Sequence, residues 1–349
     1  MTEHYHTWQE ILSQPQVWLA TLRGFVSAQS TLEEFLDQAS FDHILVAGCG
    51  STHYLAQTAA TTLTHCTDIS ASAFPSSELW LVSNAVFADR TLLLAISRSG
   101  TTTETLRALR RFRESNDGPV LAVTCYPEST LAQQADFVLA APAAQEQSVA
   151  QTRSFTSMFM LIQALVAALA HDEEKLERLH RLPDALTSLV RRLGDLPQQL
   201  GENRSLDRFF FLGGGPFYGL ANEAMLKTKE MSLSYAEAYH PLEFRHGPMS
   251  MVNQGALVVG LLSDAGRAEE LRVLADMKEL GASTLALSED DLSLADSSLD
   301  YLVEMHSGLG EWERGPLYLP ILQRLAYHRA IAKGLNPDQP HNLTSVVRL

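Results

Sequence analysis

Near-continuous apolar runs recur along the chain, each followed by a turn and a stretch of helical spacing. His43-Ile44-Leu45-Val46-Ala47, Leu92-Leu93-Leu94-Ala95-Ile96, Val120 to Thr124 and Phe137 to Ala140 predict strands apolar on both faces, as in a parallel sheet. The first run turns through Gly48-Cys49-Gly50-Ser51-Thr52 into a helix over His53 to Leu63. The second turns through Ser97-Arg98-Ser99-Gly100-Thr101-Thr102 into one over Glu104 to Arg113. Ser157 to Ala170 is the most apolar run; it is too short for a bilayer and predicts a buried helix. Ahead of the first strand, Trp8, Ile11, Trp18, Leu19 and Leu22 predict helical structure interrupted at Pro15, with a separate short helix over Ser30 to Ala39. Alternation of strand, loop and helix predicts α/β architecture with central parallel sheets, flavodoxin-like, with helices on both faces.

The pattern occurs twice. Phe209-Phe210-Phe211-Leu212-Gly213-Gly214-Gly215 matches Ile44 to Gly50 at an offset of about 165 residues. The same register carries Ser77-Glu78-Leu79 onto Leu242-Glu243-Phe244 and Leu92 to Ile96 onto Leu257 to Leu261. The predicted organisation is a helical segment over 1–40, a first module over 41–172, a helical connector over 173–200 and a second module over 201–349.

The copies differ in their polar residues. Ser97 to Thr103 puts hydroxyls and a glycine at a strand-to-helix turn, where backbone N–H groups and the helix dipole favour an oxyanion such as phosphate. The matching Leu262-Ser263-Asp264-Ala265-Gly266-Arg267 carries a carboxylate that would repel one. In the second copy alone, Glu223, Lys227 and Glu230 fall on one helical face with Lys229 pointing away, and Glu243-Phe244-Arg245-His246-Gly247-Pro248 follows. A Lys beside a Glu on an inward face can hold that Glu ionised, ready to take a proton. The split predicts phosphate held by the first half and chemistry supplied by the second. A nicotinamide cofactor is disfavoured, because position 53 is His where a dinucleotide turn needs its third glycine.

Composition narrows the classes further. A net charge of −15 over 349 residues excludes nucleic acid and anionic membranes as main partners. Three cysteines without metal spacing fit a reducing compartment, and the polar N-terminus is no signal sequence, so a cytoplasmic location is expected. The histidines show no compact ligand spacing, and neither a metal nor another cofactor is expected.

These residues resemble the sugar-isomerase (SIS) family, particularly the isomerase half of glucosamine-6-phosphate synthases and the stand-alone amino-sugar phosphate isomerases and deaminases. The resemblance runs through Glu10-Ile11, Gln14-Pro15, Gly48 to Thr52, Ser97 to Thr102, Glu146 to Thr156, Lys227 to Glu230, Glu243 to Pro248 and Asp338 to Leu343. It implies that Ser97, Arg98 (through its backbone N–H), Ser99 and Thr102 hold a sugar phosphate, with the Gly50-Ser51-Thr52 turn assisting. It further implies that Val149 and Gln151 contact the sugar chain and that Glu146 lines the pocket. Glu230 would move a proton between C1 and C2 of the opened sugar, Lys227 would orient it or bind hydroxyls, and His246 would assist ring opening from the neighbouring subunit of a homodimer.

Two departures shape the expected activity. The chain starts Met-Thr with no glutamine-hydrolysing domain, so no glutaminase activity is expected. Ser345 stands where the synthases place a Schiff-base lysine, and a serine forms no imine. The expected activity is a phosphosugar aldose–ketose isomerase or deaminase of the glucosamine-6-phosphate to fructose-6-phosphate type. The alternatives are a fructosamine-6-phosphate deglycase and a non-catalytic sugar-phosphate-binding regulator.

Overall fold

The computed structural model describes residues 5–82, 89–292 and 299–344. Two compact units divide the chain. One comprises Ser13–Gln147, Gln151–Pro183 and Thr344–Leu349; the other comprises Met1–Leu12, Ser148–Ala150 and Asp184–Leu343. They are called the first-copy and second-copy units below.

The first-copy unit contains a five-stranded parallel sheet: β1 (His43–Gly48), β2 (Ser70–Pro75), β3 (Thr91–Ile96), β4 (Val120–Thr124) and β5 (Phe137–Ala140), in the order β2-β1-β3-β4-β5. The second-copy unit repeats it with β6 (Arg208–Gly213), β7 (Tyr235–Tyr239), β8 (Ala256–Leu261), β9 (Ser283–Ser288) and β10 (Tyr301–Glu304), ordered β10-β9-β8-β6-β7. Counted within each unit both orders are 2-1-3-4-5, the doubly wound flavodoxin-like arrangement. The two matching central pairings keep the repeat in register: Ile44 faces Leu92 in one sheet and Phe209 faces Leu257 in the other.

The central strands form because their side chains are buried on both faces. β3 and β8 are buried at every position, and β1 and β6 at all but the first. On one face of the first sheet Leu45, Leu93 and Leu121's neighbour Ala122 pack with Leu109 and Phe112 of the helix Thr103–Ser115. In the second unit Phe210, Val258 and Leu274 form the counterpart core. The helix Arg153–Leu169 is buried from Ser154 to Ala167, which is the burial its apolar run predicts. Among the described residues no helix is long and apolar enough to cross a membrane.

Three elements depart from the sequence reading. The first helical stretch does break at Pro15, His6–Leu12 ending before Gln14–Gln38 opens with Pro15 in its first turn, but that second helix runs unbroken through the stretch read as a separate helix over Ser30 to Ala39. Pro in the first turn forfeits no intrahelical hydrogen bond, because that N–H has no partner there. The edge strands β2 and β7, with sequences SASAFP and YAEAY, carry no apolar run because they are half-exposed. β2 takes its register from β1, His43 to Gly48 facing Ser70 to Pro75.

Candidate functional site

Both sheets have their topological switch point between the first and third strands, where the chain leaves in opposite directions and a crevice opens beyond the carboxyl ends. In the first-copy unit this places Gly48 to Thr52, after β1, beside Ser97 to Thr102, after β3. The loop after β3 is held from within. Ser97 Oγ accepts from Gly100 N at 3.1 Å and lies 3.2 Å from Thr102 Oγ1, while Ser99 Oγ accepts from Thr101 N at 3.2 Å. Gly100 has φ +62, and a Cβ there would lie 1.9 Å from Ser129 Oγ, so only glycine fits. Thr102 is the N-cap position of the helix Thr103–Ser115, whose dipole points its positive end at the loop.

The neighbouring turn is equally fixed. Gly50 has φ +55, and Thr52 Oγ1 accepts from Cys49 N at 2.8 Å and sits 2.9 Å from Cys49 O. Ser51 and Thr52 are buried at the helix start. Burial raises the Cys49 thiol above its usual range, with the Ser76 and Thr105 hydrogen bonds offsetting part of this.

Arg98 is buried and its guanidinium turns to Glu146 at 3.5 Å, while its carbonyl accepts from Cys125 N and Thr124 Oγ1, both at 3.1 Å. Glu146 in turn accepts from Thr152 N and Thr152 Oγ1 at 2.7 Å, from Ser154 N at 3.2 Å and from Ser154 Oγ. Its side chain is wholly buried, so it anchors the start of the helix Arg153–Leu169. Gln151 is half-buried, and its amide oxygen is buried without a hydrogen-bond partner among the described residues.

The second-copy unit carries the charged face. On the helix Phe217–Ser232, Lys227 is 1% exposed, 3.4 Å from Glu223 Oε1 and ion-paired with Glu230. Glu223 is fully buried and Lys229 is exposed, so the face reading holds and the charges lie inward rather than along a solvated surface. Glu230 keeps 18% exposure, enough for its carboxylate to meet a ligand. His246 lies in the exposed turn after the helix Pro241–Phe244, its N donating to Glu243 O at 3.0 Å before Gly247 at φ +126. Val149 is half-buried, its N donating to Asp338 O at 3.0 Å. Ser345 lies outside the described residues.

Sequence reading singled out Asp264 but missed two partners that only the fold brings to its loop. Glu270, 6% exposed, accepts from Ser263 N at 2.7 Å and Ser263 Oγ at 2.9 Å. A Cβ on Gly214 or on Gly266 would stand 3.3 or 3.1 Å from Glu270 Oε1, so this carboxylate fills the crevice between the two turns of its own unit. Asp264 is bound by the buried Arg314 at 2.7 and 3.0 Å, which holds its carboxyl below the usual range. The fold also gathers Asp291, Glu304 and His306, with ligand atoms within 4.8 Å of one another, a cluster that sequence spacing did not show. Asp291 is 88% exposed, and the cluster reads as an ordinary surface ion-pair group.

The SIS domain family model matches residues 38–168 and 204–327, one match for each copy. The chain is 30% identical over 352 residues to the isomerizing glutamine--fructose-6-phosphate aminotransferase of Pyrobaculum aerophilum, covering 97% of this chain and 56% of that protein. The Legionella pneumophila protein of the same name is also 30% identical, with 97% and 57% covered. The chain thus spans about half the length of these relatives. Among solved structures, the glucosamine-6-phosphate deaminase of Thermotoga maritima has a TM-score of 0.80 and 28% identity, covering 99% of this chain and all of that one. The tagatose-6-phosphate ketose/aldose isomerase of Escherichia coli reaches a TM-score of 0.87 at 24% identity, covering 97% and 95%, a likeness of fold. With both copies matched by one model, the chain belongs to the SIS domain family.

Proposed function

We propose that this protein is a phosphosugar aldose–ketose isomerase and deaminase, converting an amino-sugar 6-phosphate of the glucosamine-6-phosphate type into fructose 6-phosphate. The observation that carries the reading is the Lys227–Glu230 pair: a buried ammonium beside a carboxylate that still reaches solvent. A carboxylate with access to the ligand can take up a proton, and the ammonium beside it fixes its position. In this reading the loop Ser97 to Thr102, assisted by Gly50, Ser51 and Thr52, takes the phosphate through hydroxyls and N–H groups at the positive end of a helix. Gln151, with its orphaned amide oxygen, accepts from a sugar hydroxyl, and Val149 contacts the sugar chain. The Arg98 side chain pairs with Glu146 and braces the loops at the pocket wall, leaving the Arg98 backbone N–H to the phosphate.

His246 opens the sugar ring from the neighbouring subunit of a cytoplasmic homodimer. Glu230 then takes the C2 proton of the open aldose and returns it to C1, giving the enolamine and then the ketimine. Water adds to the ketimine carbon and ammonia leaves, so glucosamine 6-phosphate and water become fructose 6-phosphate and ammonia. The likeness to the Thermotoga maritima deaminase, which covers that whole chain, supports this choice over the other family chemistries.

The test is Glu230→Gln. The variant is expected to bind the sugar phosphate with parental affinity by calorimetry, yet to lose C2-proton exchange with deuterated water and to drop about 10²- to 10⁴-fold in turnover. Exchange at the parental rate rejects the base assignment. Ammonia release over a panel of hexosamine and fructosamine phosphates identifies the nitrogen substituent, a fructosamine phosphate preference marking a deglycase.

A further inference from the structure

The short strap Ser148–Ala150 is held on three sides within the second-copy unit. Glu10, on the helix His6–Leu12 and 3% exposed, accepts from Ser148 N at 3.4 Å and from Ser148 Oγ. Asp338 O accepts from Val149 N at 3.0 Å. Ala150 packs with Met231, Ala326 and Ala330, and Met231 directly follows Glu230 on its helix. The strap is therefore registered against the helix that carries the proposed base.

Asp338 closes the arrangement. Its carboxylate accepts from His6 N at 2.9 Å, Thr7 N at 2.7 Å and Thr7 Oγ1 at 2.7 Å, capping the helix that presents Glu10. One residue thus fixes the origin of the Glu10 arm with its side chain and the middle of the strap with its carbonyl. Burying a carboxylate to hold a serine is costly, and apolar packing alone would fasten a loop more cheaply. What a buried charge-assisted bond adds is directional placement.

We propose that Glu10 is a positioning residue for proton transfer, setting the Val149 backbone against the Glu230 helix through Ser148, with Asp338 holding both ends of the clamp. The inference rests on the reading of Glu230 as the base. A displacement of about 1 Å at a reacting centre costs on the order of 10²-fold in rate. The phosphate loop after β3 belongs to the other unit and shares no clamp residue.

The test compares Glu10→Ala, Glu10→Gln and Ser148→Ala in the full chain, with thermal unfolding as the control for folding. Glu10→Ala is expected to lower kcat about 10²-fold with calorimetric affinity for inorganic phosphate within about twofold of the parent. Glu10→Gln, which keeps a carbonyl acceptor, is expected to recover most of that loss. In Ser148→Ala, amide exchange at Val149 should quicken about tenfold with kcat falling in the same direction as Glu10→Ala but less. Parental kcat and parental Val149 protection in folded Glu10→Ala or Ser148→Ala overturn the clamp. So does a parallel loss of turnover and phosphate affinity, which marks a general structural role. A parent that shows no C2-proton exchange overturns the Glu230 reading instead, and the amide-exchange arm still decides the clamp.

Discussion

The two units carry one architecture and opposite electrostatics. Strand order agrees, and the first three strands of each begin 165 residues apart. In the first copy, the crevice at the switch point is lined by hydroxyls and backbone N–H groups. In the second, Glu270 fills the same crevice from its own helix, taking the Ser263 N–H and hydroxyl. The helix after the first strand shows the reverse contrast. Its inward positions are Thr58 and Thr62 in the first copy, with Thr62 Oγ1 bonded to Thr58 O, and Glu223 and Lys227 in the second. The fold supplies a crevice beyond the carboxyl ends in either case. Whether it receives an anion depends on whether the chain has already placed one there, and each copy has charge where the other is neutral.

The sharpest way to break this contrast is at Lys227. Lys227→Met leaves Glu223 and Glu230 facing each other without the cation between them, and removing one partner of a buried pair costs about 3–5 kcal/mol. A large drop in the urea midpoint at constant m-value is expected, together with loss of turnover. A midpoint close to the parent's would mean that the inward face is not electrostatically strained. On the other side of the comparison, the double change Ser99→Ala, Thr102→Ala should weaken sugar phosphate binding by about 10- to 100-fold, as two hydrogen bonds of about 1 kcal/mol net each imply. Binding of the unphosphorylated sugar should stay put. Equal losses for both ligands would remove the phosphate from that loop.

A middle-sized effect is expected at Glu270. Glu270→Ala strands the buried Ser263 N–H and hydroxyl, a cost of about 1–3 kcal/mol. Phosphate affinity should be unchanged, since the anion loop of the first-copy unit shares none of these bonds. A fall in phosphate affinity matching that of the Ser99, Thr102 double variant would erase the distinction between the copies.

Much of this was legible because burial writes itself into the chain. Strands hidden on both faces have to be apolar throughout, so Leu92 to Ile96 and Phe209 to Leu212 read directly, and their repetition exposed the duplication. Edge strands escape because one side is wet: Ser70–Pro75 and Tyr235–Tyr239 look like loops until β1 and β6 pair with them. The Glu223, Lys227, Glu230 face was visible as helical spacing, but its inward direction was not, since i,i+4 ion pairs mark exposed helices just as well. Glu10 was visible only as part of a family resemblance that gave it no role, and Glu270 had no local signal. Each acquires its role from a partner on another element, Ser148 138 positions away and Gly214 on the turn after the neighbouring strand.

The smallest effect separates two carboxylates at the second-copy crevice, Asp264 in the loop after β8 and Glu270 on the helix that follows it. Arg314 lowers the Asp264 pKa from its ordinary 3.8, chiefly through its hydrogen bonds, so Asp264 contributes stability above 3.8 that is lost as pH falls through the folded-state value. Burial raises the Glu270 pKa above 4.5, the Ser263 bonds offsetting only part, so Glu270 contributes stability below 4.5 that is lost as pH rises through its folded-state value. Asp264→Asn should therefore flatten the acid limb of a thermal-unfolding series run from about pH 3 to pH 7. Glu270→Gln, which imitates the protonated form, should leave the acid limb alone and gain on the parent as pH rises. If both variants bend the same limb, the two carboxylates titrate as one unit, and the crevice filling belongs to the Asp264–Arg314 pair as much as to Glu270.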